Sequence, residues 1–453
     1  IEEAFSEWVW KDSARAKLLG AIYNERFNNL APRDFDGSYL TLPGSSDIEL
    51  RPHQKDAVAR ILQSDEGTLV AHVVGAGKTF TGIAACREAK RLGKATKPMV
   101  VVPNHLTEQW AADFLRLYPE SKVLVMSKSD CYGRESARWF WARAAAGDWD
   151  AVICGQSRFS QLNVSQERRE QYLNERVSEL EESIRRAKDD GDDLTVKQVQ
   201  GMKKRLEQRV GKLRDKPTVE GISFEDLGCD MLFIDEAHYF KNLAVAGMNV
   251  AGMSVAASGK CEDLLDKCRV LREEGKGANI VFATGTPVSN TMAELYNMQR
   301  YLAPDLLARQ GVSAFSDWAK TFGQVVESVE ARPEGSGFQV KQRFAKFHNL
   351  PELMSSFHCF ADIVSAGQVN LKVPECETIV EAVPATDEQR AEVAELAERA
   401  EKIRAGNVDS TVDNMLKITS DGRKVALDPK LLYPDDPDVE PLVGGKVDRC
   451  ARN

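Results

Sequence analysis

Six short runs of aliphatic and β-branched residues constrain this chain more than any other feature: GTLVAHVV (67–74), PMVVVP (98–103), SKVLVMS (121–127), DAVICG (150–155), DMLFID (230–235) and ANIVFATG (278–285). Stretches of helical periodicity separate them. Strands without polar alternation need cover on both faces, and intervening helices supply it. The rhythm therefore predicts an α/β fold, a mostly parallel sheet with helices on either side. At roughly 100–200 residues per domain, 453 residues leave room for about two to four domains.

Outside these runs the pattern changes. Residues 1–30 space Phe5, Val9, Trp10, Leu18, Leu19, Ile22 and Tyr23 as one helix would, and NLAPRDFDGSYLTLPGSS (29–46) reads as a loop. RPHQKDAVARIL (51–62) predicts a helix with Pro52 just inside its start. Between Glu167 and Lys216, 26 of 50 residues are charged, which puts this stretch outside the sheet core. Leu173, Val177, Leu180 and Ile184, then Val199, Met202, Leu206, Val210 and Leu213, keep helical spacing on either side of DDGDD. A projecting helical hairpin sealed along a narrow seam follows. Its second arm, 195–216, has eight Lys/Arg against two Asp/Glu, which fits either a solvated hairpin or a surface contacting nucleic acid or a partner. After Thr286 the chain reads as mainly helical to about Ile363, and 371–403 reads as a strand followed by a strong helix, the opening of a second α/β unit with no room to finish a sheet.

A net charge of −9 disfavours diffuse attraction to polyanions while leaving a local basic groove open. No apolar run reaches 18 residues, so no membrane-spanning helix is expected. Nine cysteines with no C-x-x-C fit reduced thiols and a cytoplasmic location better than a disulfide scaffold or a zinc site. The chain opens IEEAFSEWVW, without Met or a signal-peptide pattern, as a piece of a longer protein would.

Three strand ends carry chemistry. GTLVAHVV runs into Gly75-Ala76-Gly77-Lys78-Thr79 and then a helix. Glycines let backbone N–H groups curl round a phosphate, and a helix N-terminus adds a favourable field. Lys78 is placed to reach β- and γ-phosphates, and the Thr79 hydroxyl to ligate Mg²⁺. A chance glycine turn is the plain alternative; the flanking strand and helix oppose it. His72 stands where the general pattern has its first glycine. MLFIDEAHYFKN (231–242) ends a strand in adjacent acids, so Asp235 suits Mg²⁺ through water and Glu236 suits activation of an attacking water. His238 fits a link from this site to the rest of the protein better than a metal ligand, since no H-x-x-x-H or H-E-x-x-H occurs. In VFATGTPVSN (281–290), Thr284 and Thr286 can hydrogen-bond to the acidic pair or its water, and Gly285 permits close approach.

Taken in order, LRPHQKDAV, GAGKT, VVVPNHLTEQW, DAVICGQSRF, FIDEAHYFKN and ATGTPVSN resemble superfamily 2 helicases, most closely the Swi2/Snf2-like branch of ATP-driven duplex-DNA translocases. The chain looks especially like the helicase region of very large phage, plasmid and integrative-element proteins, which are often fused to an adenine-specific DNA methyltransferase. No NPPY or DPPY occurs here, so a methyltransferase partner domain would lie elsewhere in a parent chain.

The resemblance implies a RecA-like P-loop NTPase lobe at 50–303 with the hairpin inserted at 162–222, preceded by a helical segment and linker (1–49). A helical extension (304–370) and the start of an incomplete second lobe (371–453) would follow. It implies ATP and Mg²⁺ as cofactors, with Gln54 reading the adenine edge, Arg51 supporting that loop, and Gly75 to Thr79 holding phosphates. Pro103, Asn104 and His105, with Gln156, Ser157 and Arg158, would touch a DNA backbone without reading sequence. Trp110 reads as core packing before base stacking. Lys241 and Asn242 would edge the cleft, with a salt bridge and a helix cap as the alternative.

Departures are visible too. His53 replaces the usual Tyr, His72 the Asp common in the branch, and no Q-x-x-G-R-x-x-R pattern supplies a second-lobe arginine finger. The expected activity is DNA-dependent ATP hydrolysis in an intact protein, with little turnover by this chain alone. A nucleotide switch without translocation, an RNA-directed ATPase and a scaffold with a decayed site are the alternatives.

Overall fold

The computed structural model describes residues 2–127, 130, 134–189, 193–214, 221–245, 258–289, 291–331, 338–369, 376–406, 408–409 and 412–452. The chain divides into two units, Ile1–Val326 with Arg343–Leu371, and Glu327–Gln342 with Lys372–Asn453.

All six expected strands form: β1 (Thr68–His72), β2 (Pro98–Val102), β3 (Val123–Val125), β4 (Ala151–Gly155), β5 (Met231–Asp235) and β6 (Ile280–Ala283). Two longer strands, β7 (Gly323–Ala331) and β8 (Phe338–Phe347), make a separate pair, and β9 (Ala361–Val364) returns to the main sheet. The seven-stranded order is β3-β4-β2-β5-β6-β1-β9, and each neighbouring pair is parallel. This is the parallel sheet that the strand rhythm predicts, and it matches the RecA-like P-loop NTPase lobe that the resemblance implies.

Alternation along the strands explains the layering. Leu69, Met99, Val101, Leu232, Ile234 and Phe282 enter one apolar core, while Val70, Val100, Val102, Phe233 and Val281 enter the other. Successive side chains point to opposite faces, and both faces are covered.

The N-terminal segment is two helices, α1 (Glu2–Trp10) and α2 (Ser13–Tyr23), where one continuous helix was expected. Asp12 breaks them, because its carboxylate accepts from Ala14 N and Arg15 N and caps α2. Helices α3 (Pro52–Gln63), α4 (Lys78–Arg91) and α5 (Thr107–Leu117) cover one sheet face. The other face receives α6 (Arg134–Ala146), the single turn α7 (Gln156–Phe159) and the root of the hairpin α8 (Gln166–Asp189)–α9 (Asp193–Arg214). Also on that face are α10 (Gly259–Glu273), α11 (Ala293–Leu302) and α14 (Leu350–Phe360), whereas α12 (Pro304–Gln310) and α13 (Phe315–Phe322) build a smaller core around Trp318.

The hairpin forms, with Leu173, Leu180, Val199 and Val210 buried in its seam. It is not self-contained. Tyr172 belongs to the sheet core, and ion pairs Arg176–Asp266, Arg269–Glu175 and Arg209–Glu262 dock its root on α10. Two of the cations in the basic arm are thus taken by protein acids, Arg209 by Glu262 and Lys203 by Glu181 at 2.6 Å. Lys212, Leu213 and Lys216 lie outside the described side chains.

Two expectations for the C-terminal third fail. The stretch 304–370, read as a helical extension, also contains β7, β8 and β9. The run GQVVESVEA before a Pro/Gly-rich segment carries a hairpin signal; ADIV, four residues directly after a helix with no breaker, does not. The strand expected from about 371 does not form among the described residues: 376–386 carries no strand. Ile379 and Val380 there are 81% and 87% exposed, so these side chains are not covered as those of a buried strand would be.

In the second unit, α15 (Asp387–Arg404), α16 (Met415–Leu427) and α17 (Lys446–Arg452) follow this stretch. Thr386 and Asn414 cap α15 and α16. Leu396, Ala400, Ile418 and Val425 make a small core, and Arg399 bridges Asp413 and Asp421.

Candidate functional site

The C-terminal ends of β1, β5 and β6 lie side by side, so the three strand-end motifs meet at one edge of the sheet. After β1 the chain turns through Gly75 (φ 85°) and Gly77 (φ 83°), conformations that L side chains rarely adopt. A Cβ on Gly77 would lie 2.4 Å from Gln54 Nε2, so this glycine is required twice over. The loop then feeds the N-terminus of α4, a concave set of backbone donors suited to an anion. Lys78 Nζ donates to the carbonyls of His72 (3.0 Å) and Val73 (3.4 Å). Burial pushes the Lys78 ammonium below its ordinary pKa, and Glu236 and Asp235 pull it back.

Asp235 ends β5 and is 6% exposed. Burial raises its pKa, opposed by the hydrogen bond from Trp110. Its Oδ1 accepts from Glu236 N at 2.9 Å and its Oδ2 from Trp110 Nε1 at 2.8 Å. Glu236 sits in the left-handed region at φ 49°, which turns its side chain away from the strand direction. His238 joins the motifs: its Nδ1 is 3.2 Å from Glu236 Oε2 and 3.0 Å from Thr284 Oγ1. Thr284 Oγ1 also accepts from Thr286 N at 3.1 Å. A Cβ on Gly285 would meet Val74 Cγ2 at 3.0 Å and Lys78 Nζ at 3.6 Å, the close approach its residue type permits.

The residues fit a magnesium nucleotide. A buried carboxylate ends the strand, and Thr79 is the second residue of the helix that opens at Lys78. Among the described residues no cluster of three or more His, Cys, Asp or Glu forms a protein-only metal site. A cation here would be shared with phosphate oxygens and water.

Gln54 links α3 to the glycine loop. It is buried, its Oε1 accepts from Arg51 N at 2.8 Å and its Nε2 donates to Gly77 O at 2.9 Å. One end of the amide caps α3 and the other ties α3 to the glycine loop. Arg51 itself is exposed at the start of α3. His53 bonds Ala76 O at 2.9 Å and meets the His72 ring edge-on at 5.7 Å.

The two expected backbone-contact loops lie together at the ends of β2 and β4. Asn104 Nδ2 donates to Ser157 Oγ at 2.7 Å, and Ser157 N to Asn104 Oδ1 at 3.2 Å. Asn104, His105 and Ser157 are exposed, and Arg158 is half-buried with a bond to Gln161 at 2.7 Å. Pro103 is buried, so its ring packs where a surface contact was expected. Gln156 reaches the other way, its Nε2 donating to Asp235 O at 3.1 Å.

Several partners escaped sequence reasoning. His72 Nε2 lies 2.7 Å from Asp362 Oδ2 on β9, a pair that only the added strand creates. Lys241 forms an ion pair with Glu294 at 3.0 Å, and Glu294 also accepts from Ser289 N at 2.7 Å, which ties the segment after the acids to the start of α11. Asn297 reinforces this by donating to Lys241 O at 2.8 Å. Asn290 lies outside the described residues.

The family described as "Probable helicase domain" matches residues 60–364, and a domain of unknown function (DUF8437) matches residues 1–29. The chain is 23% identical over 451 residues to the "Defense against restriction protein B" of Escherichia phage P1, covering 90% of this chain and 20% of that protein. It thus spans about a fifth of the length of that curated relative. Two solved structures are similar. The Sulfolobus solfataricus SWI2/SNF2 ATPase core in complex with dsDNA is 17% identical, with 93% of this chain and 65% of that chain covered and a TM-score of 0.39. The core domain of the same ATPase is 18% identical, with 90% and 64% covered and a TM-score of 0.39. No described helix is long and apolar enough to cross a membrane. Because the helicase model spans more than half of its residues, the chain belongs to the "Probable helicase domain" family.

Proposed function

We propose that this chain is the nucleotide-binding motor lobe of a DNA-dependent ATPase that moves along duplex DNA, of the Swi2/Snf2-like kind. One observation carries the reading: Lys78, Asp235, Glu236, His238 and Thr284 converge at adjoining strand ends, with Glu236 and Thr284 both within 3.2 Å of His238 Nδ1. Gly75 to Thr79 would hold the phosphates of ATP, and Thr79 and Asp235 would hold Mg²⁺, which supplies charge neutralisation when bound. Lys78 would leave its two carbonyl partners for phosphate oxygens. Glu236 would accept a proton from the attacking water, with His238 relaying its position to Thr284. Asn104, His105, Ser157 and Arg158 would contact the DNA backbone, and Gln156 would tie that contact to β5.

An arginine finger is typically worth 10³–10⁵ in rate, and no second-lobe arginine pattern occurs in this sequence. We therefore expect the chain to bind ATP while hydrolysing it slowly. The length of the phage relative supports a large parent protein of a mobile element, with further domains such as a methyltransferase. A cytoplasmic location follows from that reading.

Steady-state ATPase of the full-length protein with duplex DNA, single strands and RNA tests it. Duplex DNA should stimulate most, Glu236→Gln should bind ATP without turnover, and the 453-residue chain should be at least about a hundredfold slower than the intact protein, given the worth of an arginine finger. Equal stimulation by RNA would favour an RNA-directed enzyme. No stimulation by any polymer would favour a nucleotide switch.

A further inference from the structure

Trp110 does more than fill the core. It is 2% exposed on α5, with its ring 5.4 Å from that of Phe233 on β5. Phenylalanine would satisfy that packing. The indole N–H instead points at Asp235 Oδ2, 2.8 Å away across 125 residues of sequence. The other oxygen, Oδ1, accepts from Glu236 N at 2.9 Å. A carboxylate that is 6% exposed therefore has one neutral N–H donor on each oxygen. The Glu236 donor turns with Asp235's own backbone, whereas Trp110 is an external reference on another element.

We infer that Trp110 is a positioning residue for Asp235, fixing the carboxylate's rotation so that its remaining lone pairs hold one orientation toward a magnesium nucleotide. The inference rests on the nucleotide reading above. Groups that orient metal-holding residues from behind typically change metal affinity by 10–100-fold when removed. A packing role would lower stability without separating metal-linked from metal-free nucleotide binding.

Calorimetric titration of ADP into the 453-residue chain, in EDTA and in Mg²⁺, reads this separation. In Trp110→Phe the EDTA affinity should stay within about twofold, and the gain in affinity on adding Mg²⁺ should shrink about tenfold. Phe233→Leu disturbs the same packing without touching the N–H and should keep the Mg²⁺ gain. Should Trp110→Phe not fold, benzothienylalanine at position 110 keeps the ring system and deletes the N–H, and the same split is read. An unchanged Mg²⁺ gain in the N–H-less variant overturns the inference, as does an equal loss in Phe233→Leu. Wild-type protein with no Mg²⁺-linked nucleotide affinity overturns the nucleotide reading itself, and this inference with it. That result is distinguishable, because it appears before any substitution is made.

Discussion

At the sheet edge, Asp235, Gln54 and His72 are 6%, 5% and 0% exposed, and each has a hydrogen-bond partner from another element. Along the outer part of the hairpin, Lys197, Lys204 and Arg205 stand in solvent, and the Lys203–Glu181 pair leaves its side chains 27% and 55% exposed. Both regions are rich in charge, yet only the first desolvates it. Buried polar groups are costly unless satisfied, so a rim that keeps them has them held by specific partners. Exposed pairs contribute little and tolerate change. Functional chemistry is therefore expected at the rim, and helix solubility along the outer hairpin.

The two regions join at α10, where the contrast is easiest to break. Lys267 is fully buried, its Nζ donating to Asp263 Oδ2 at 2.5 Å and to Phe159 O at 2.6 Å. Lys267→Met should lower unfolding stability by about 3–5 kcal/mol, because a buried carboxylate and a carbonyl lose their donor. Urea denaturation checks it, and a change below about 1 kcal/mol would place Asp263 in water.

Acidity offers a second lever. Burial pushes Asp263 up to about 6, beyond what Lys267 pulls back. Its folded pKa exceeds its unfolded value of 3.8, so its contribution is present below that value and is lost as pH rises through about 6. Stability measured across that window should fall with rising pH, and Asp263→Asn should flatten the slope. A slope that survives the substitution assigns it to another group.

Within the hairpin the effects shrink outward. Leu180→Ala should cost about 2 kcal/mol, seen as lost hydrogen-exchange protection in α8 and α9 with nucleotide affinity unchanged. Trimming the hairpin beyond Val177 should spare the core, whereas deleting it from its root removes Tyr172 and the Arg176–Asp266 pair and should destabilise the sheet unit. Lys203→Ala should change stability by less than about 0.5 kcal/mol.

How much was legible follows the same division. The β1 to β6 strands were readable because unbroken apolar runs admit few other uses, and Gly-Lys-Thr or Asp-Glu at a strand end has few alternatives. The partners were not readable. Asp362 sits on β9, four residues that follow α14 without a breaker, and its bond to His72 exists only once β9 pairs with β1. Trp110 lies on an apolar helix face, and periodicity cannot say where an indole N–H points. Gln54 was recognisable by type, but its engagement with Arg51 N and Gly77 O depends on the closed geometry of the loop. The run at 376–386 misled because apolar spacing alone does not settle whether a segment joins a sheet, and no strand is assigned there.

The central claim is that the glycine loop and Lys78 hold the phosphates of a nucleotide. Calorimetric titration of ADP with Mg²⁺ into wild type and Lys78→Ala, with melting temperatures as a folding control, addresses it most directly. The account predicts binding by wild type and a loss of at least about a hundredfold in Lys78→Ala, the scale of one desolvated charge-assisted contact, at an unchanged melting temperature. Equal affinity in the two proteins, or no binding in either, would contradict it.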